Sequence, residues 1–138
     1  MIAIDTNILA RFYVDDPSDR EAASQRPVAR RILVESPSLY VPMTVILELD
    51  WVLRAFYRFE AADFIRVVRH LLGLSHVVVG GREHVEIALD WHHEGLDFAD
   101  ALHLAASAHC KKFLSFDSRR FARRAERLSL SPPVVIPC

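Results

Sequence analysis

Four acidic residues interrupt apolar segments of this chain. Asp5 follows Ile2-Ala3-Ile4, Glu48 lies within Val45-Ile46-Leu47-Glu48-Leu49, Asp100 within Phe98-Ala99-Asp100-Ala101-Leu102, and Asp117 follows Phe113-Leu114-Ser115-Phe116. An ionised carboxylate among hydrocarbon is costly unless a cation or hydrogen bonds compensate it. Carboxylates at short range also raise one another's pKa, and a divalent cation relieves both penalties. All-oxygen ligation favours magnesium or manganese, whereas zinc would prefer histidine and cysteine. One such ion with a bound water, or two ions roughly 4 Å apart, can activate that water and neutralise charge on a phosphodiester during in-line displacement. The expected chemistry is hydrolysis of a phosphodiester by a metal-activated water.

The elements that must position these acids follow from hydrophobic periodicity. Short β runs alternate with helical patterns, which predicts an α/β fold with a parallel sheet covered by helices. Strands are expected at Ile2 to Ile4, Ser38 to Val41, Val77 to Val79, Phe113 to Phe116 and Val134 to Ile136. Asp16-Pro17 reads as an N-cap with proline at the first helical position, opening a helix to about Glu35. Thr44 is placed to cap the helix that carries Glu48 to Tyr57. Further helices are expected from Ala61 to Leu72, with Phe64, Val67, Val68, Leu71 and Leu72 on one face and Gly73 as a stop, and from about Val85 to Gly95. Two more should run from Phe98 to Cys110 and from Ser118 to Leu128. Asp5 and Asp117 then end strands, the end at which open parallel sheets hold ligands, and Glu48 and Asp100 lie early in helices entered from that end.

Neighbouring residues divide into supports and bystanders. Asn7 and Ser115 suit hydrogen-bonding supports that orient the carboxylates. Asp97 is placed to cap the helix beginning at Phe98 and is a candidate supporting or second-metal group. Asp5 can cap a helix and ligate a metal at once. Asp50 reads as an exposed charge. His92-His93 is a poor zinc site, because adjacent helical residues point in different directions; His103, one turn after Asp100, reads as a partly buried helix histidine. Arg119, Arg123 and Arg127 recur at helical spacing opposite Phe121, Ala125 and Leu128, and with Arg120 they form a candidate nucleic-acid-binding face that would contact phosphates without reading sequence.

The ordered motifs Ile4-Asp5-Thr6-Asn7, Thr44 to Glu48, Asp97-Phe98-Ala99-Asp100-Ala101-Leu102-His103 and Leu114-Ser115-Phe116-Asp117 resemble those of the PIN-domain nucleases, particularly the VapC-type toxins, over nearly the whole chain. Ser115 stands where that family often has threonine, and it keeps the hydroxyl. The resemblance implies a PIN-like three-layer fold with a four- or five-stranded parallel sheet, and Asp5, Glu48, Asp100 and Asp117 as the catalytic and metal-binding acids. It implies a Mg2+- or Mn2+-dependent endoribonuclease, a homodimer, and a small antitoxin protein covering the site.

Composition sets the outer limits. With 138 residues, 51% hydrophobic and 25% charged, the chain fits one nuclease domain, 1–138, without disulfides. Its two cysteines, Cys110 in a predicted helix and Cys138 at the terminus, form no disulfide framework. Met1 runs directly into the first strand and no apolar stretch is long enough to span a bilayer, so a cytoplasmic protein is expected. A net charge of -1 gives no general field for nucleic acid. Any such contact must come from local clusters such as the basic C-terminal segment. The alternative of a non-catalytic RNA- or protein-binding module is disfavoured by retention of all four acids. An aspartyl-phosphate phosphatase would want an acid where Asn7 stands, a phospho-receiver needs a lysine near the last strands, and no glycine-rich phosphate loop is present.

Overall fold

The computed structural model describes residues 1–138. They form two compact units, Met1–Arg82 and Glu83–Cys138. In the first unit, β1 (Ile2–Ala3), β2 (Leu39–Val41) and β3 (Val77–Val79) make a parallel sheet in that order. Ile2 pairs with Leu39, and Leu39 with Val77. Helices α1 (Thr6–Tyr13), α2 (Arg20–Glu35), α3 (Met43–Tyr57) and α4 (Ala61–Leu72) supply the rest of this unit. α1 packs on α2 and α3, and α3 on α4. The apolar faces meet in a core that includes Leu9, Leu33, Leu39, Ile46, Leu49, Leu53, Phe64 and Leu71, all buried. The face expected on α4 is buried at each of its five positions.

Helix α5 (Arg82–His93) opens beside the left-handed Gly81 (φ 65°) and leads into the second unit. There α6 (Phe98–Ala105), β4 (Phe113–Leu114), a π-helical turn (Ser118–Ala122), α7 (Arg123–Arg127) and β5 (Val134–Val135) follow. β4 pairs in parallel with β5, Phe113 opposite Val134. The buried side chains of this segment include Val85, Leu89, Leu96, Phe98, Leu102, Leu104, Phe121 and Ala125.

The single four- or five-stranded sheet is therefore corrected to a three-stranded and a separate two-stranded parallel sheet. β1, β4 and β5 have only two residues each, so their ladders rest on few hydrogen bonds, and the strand paired with β4 is β5. β4 stops short of Phe116: Ser115 still donates its N–H to the Val135 carbonyl (3.1 Å), and its hydroxyl then accepts the N–H of Asp117 (3.1 Å).

Local hydrogen bonds explain the other departures. Asp5 caps an unforeseen helix, α1. Asp16-Pro17 belongs to a turn in which Ser18 donates to the Asp16 carboxylate (2.8 Å), and Asp19 caps α2 instead. α3 starts at Pro42, whose carbonyl accepts from Val45 and Ile46, and not from a Thr44 cap. α6 ends at Ala105, where Ser107 turns its hydroxyl back onto the His103 carbonyl (2.8 Å), so Cys110 lies exposed beyond the helix.

Candidate active site

In the first unit the site grows from the end of β1. Asp5 takes extended backbone angles and its Oδ1 accepts from the N–H of Thr6 at 2.7 Å, capping α1. The next side chain, Thr6, is buried at 4% exposure and donates its hydroxyl to Oε1 of Glu48 on α3. Asp5, Asn7 and Glu48 are exposed to solvent and line one cleft of about 430 Å³. The structure thus brings Asp5 and Glu48 to one place through Thr6, with Asn7 beside them.

Thr6 and Arg11 are among the residues of this cleft that escaped the reading of the sequence. Thr6 lies inside the Asp-Thr-Asn motif, but its partner is 42 residues away. Arg11, one turn beyond Asn7, reaches into the same cleft and donates from Nε to Gln25 (2.8 Å) and from Nη1 to the Tyr57 hydroxyl (3.0 Å). Its spacing from Asn7 was the available signal.

In the second unit Asp97 caps α6, accepting from the N–H of Asp100 at 3.3 Å. Asp117 follows β4, is oriented by Ser115, and accepts from the N–H of Arg120 at 2.9 Å. The Asp100 carboxyl is half-buried, and its pKa is raised from 3.8 to about 6. Burial is the largest cause, followed by the charges of Asp97 and Asp117, against which His103 and Arg124 pull downward. Arg119, Arg120, Arg123 and Arg127 are all exposed, as expected of the basic face, while Phe121 and Ala125 are buried. Arg124 donates to the carbonyl of Gly95 (3.2 Å).

Three expectations are corrected. Asp50 is no exposed charge: it is 2% exposed and lies 3.1 Å from Arg54 one turn on, because the phase of α3 turns it inward beside buried Leu49 and Leu53. His103 is exposed and not partly buried, since α6 turns Leu102 and Leu104 to the core. The helix reaches only Ala105, which places Cys110 in a turn. His92 is no zinc ligand in this arrangement: its Nδ1 lies 2.7 Å from the Leu96 carbonyl and its ring stands edge-on to Phe98.

No three His, Cys, Asp or Glu side chains gather around one point closely enough to enclose a metal ion. The donor chemistry nonetheless fits a hard divalent cation. The available groups are carboxylate oxygens, and the charges of Asp97 and Asp117 already push Asp100 towards protonation, a penalty that a cation would reverse.

Parallel strands ending in acids, with further acids early in the following helices, define a class of α/β protein that holds its ligand at the carboxyl ends of strands. Residues 2–127 match the PIN domain, and the chain belongs to that family. No curated protein matches it. Among solved structures it is similar to the crystal structure of Mycobacterium tuberculosis VapC20, described as a sarcin-ricin loop cleaving toxin. The identity is 18% over 84% of this chain and 88% of that chain, with a TM-score of 0.43.

Proposed function

We propose that the chain is a divalent-metal-dependent endoribonuclease, one catalytic domain over residues 1–138, and the toxin of a toxin–antitoxin pair. Membership of the PIN family supports the nuclease, and the observation that carries the site is Asp100, raised to about 6 between Asp97 and Asp117. In this reading Asp5, Glu48, Asp100 and Asp117 hold Mg2+ or Mn2+. The cation, when bound, supplies Lewis acidity that offsets charge on the phosphodiester.

The chain's own residues do the positioning. Thr6 holds Glu48 by its hydroxyl, and Ser115 holds the backbone N–H of Asp117. Asp97 fixes the first turn of α6 and thereby the start of the segment bearing Asp100. Asn7, exposed beside Asp5, is free to hydrogen-bond to substrate or carboxylate. The exposed arginines 119, 120, 123 and 127 hold the strand by its phosphates. A homodimer and a covering antitoxin complete the proposal, and the compartment proposed is the cytoplasm; no helix is long and apolar enough to cross a membrane.

The experiment is cleavage of structured and unstructured RNA by antitoxin-free protein with magnesium, manganese or chelator, beside Asp5→Asn and Asp100→Asn. Cleavage that needs metal and is lost in both variants, with unchanged circular dichroism, is expected. Asparagine also caps helices, so Asp5→Asn should keep α1. Cutting by purified variants at the wild-type rate would remove the mechanism, and no cutting or metal binding at all would favour a binding module. Co-purification with the product of an adjacent small gene tests the toxin assignment separately.

A further inference from the structure

The cleft that holds Asp5 and Glu48 has a second, non-acidic wall. Arg11 on α1 is held from two sides by neutral acceptors, the Tyr57 hydroxyl and the Gln25 amide oxygen. No carboxylate is in direct ion-pair contact with it, although Asp5, Asp19 and Glu48 line the same cleft, so the guanidinium is oriented by neutral groups. A long cation fixed in this way has already lost much of the rotamer freedom that binding would otherwise cost. Beside it, Phe56 lines the same cleft yet is 68% exposed. Its ring is propped edge-on by Trp51, itself 55% exposed, with centroids 5.4 Å apart. An exposed aromatic ring that shares a cleft with a preoriented guanidinium is a combination that suits single-stranded nucleic acid: stacking for a base, charge for a phosphate.

We infer that Arg11 and Phe56 form a nucleotide-binding subsite of the acidic cleft, Arg11 taking a backbone phosphate and Phe56 stacking on the neighbouring base. The inference rests on the ribonuclease reading and adds two residues outside the acids, Arg11 and Phe56, that would hold an unpaired strand. Paired bases are stacked on each other and cannot present a face to Phe56. Stacking tolerates every base, so this subsite selects for single-strandedness more than for sequence. Tyr57 acts as a positioning residue that aims Arg11.

The test is fluorescence anisotropy with a labelled single-stranded oligoribonucleotide and a duplex of the same sequence, in the Asp100→Asn background so that the strand stays uncut. Phe56→Ala should weaken single-strand binding roughly tenfold, with Phe56→Trp restoring it. Arg11→Ala should lower the slope of log affinity against log salt by about 0.7, the contribution of one phosphate contact on a single strand. Arg31→Ala, an exposed arginine of α2 outside the cleft, should leave the slope unchanged. Parent-like affinity and slope in both cleft variants, while wild-type protein cuts RNA through Asp5, would overturn the subsite and leave the nuclease standing. Equal dependence of duplex binding on Phe56 would overturn the stacking role. Lost affinity for the antitoxin with RNA affinity intact would assign the wall to a protein partner instead.

Discussion

The Thr6 hydroxyl donates to Oε1 of Glu48, tying the first turn of α1 to α3 across 42 residues of chain. Thr6 is buried and its backbone N–H is already engaged by Asp5, so one residue contacts both carboxylates of this cleft. Thr6→Val keeps the shape and removes the donor. Cleavage should fall by about 10- to 100-fold, the usual cost of losing a group that orients a metal ligand, and Thr6→Ser should restore most of it. Single-turnover rates beside thermal melts check this; a Val variant with full activity would remove the positioning role.

Asp50 and Arg54 make the opposite kind of pair, structural and away from the cleft-lining residues. Two nitrogens of Arg54 face two oxygens of Asp50, at 3.4 and 3.1 Å. Asp50 is 2% exposed, but Arg54 keeps 44% of its side chain in water. Arg54→Met strands a buried carboxylate and should cost about 2 kcal/mol, less than the roughly 3–5 kcal/mol of a fully buried pair. Denaturant midpoints measure the loss. Metal-dependent cleavage per folded molecule should not change, and if it does, Asp50 belongs to the site.

Stability without metal should carry the signature of Asp100. Folded Asp100 protonates at about 6 against 3.8 for the ordinary side chain, so between these values the folded state holds more protons than the unfolded one. Its contribution is therefore present at low pH and is lost as pH rises from about 4 through about 6, levelling above. Urea titrations in chelator across that window should show a decline that Asp100→Asn flattens, since asparagine removes the charge that burial penalises and that Asp97 and Asp117 repel. Carbon NMR of the Asp100 carboxyl gives the midpoint directly, and a value near 4 would contradict the crowding described here.

Elements whose ends are marked by their own residues were legible in the sequence. α4 and β3 run over the residues expected because an amphipathic stripe closed by glycine, and a triple valine ended by Gly80-Gly81, are decided within a few positions. Short elements were not. α1 has eight residues, barely two turns, and its cap Asp5 was recognisable while the helix behind it was not. β4 has two residues and ends beside a local serine hydroxyl bond, and the expected continuous sheet is two small ones.

The contrast between Glu48 and Asp50 marks the limit. Both sit in the same apolar run, and sequence context pointed to Glu48 as functional and Asp50 as a surface charge. Residues two apart on a helix point about 200° apart, so when one faces solvent the other tends to face the core. Only the packing of α3 against α1 and α4 decides which.

The amino-acid sequence by itself determined the chemistry on offer: acids at the ends of apolar strands and at the starts of helices, in the order that marks the PIN family. Tertiary structure alone decided which side chains meet. Thr6 finds Glu48, Arg11 finds Tyr57 46 residues on, and Asp50 turns inward to Arg54. The physical reason is range. Caps, turns and periodicity are settled by neighbours within about a turn, whereas contacts between distant segments are set by how helices seat on one another, which no local pattern encodes.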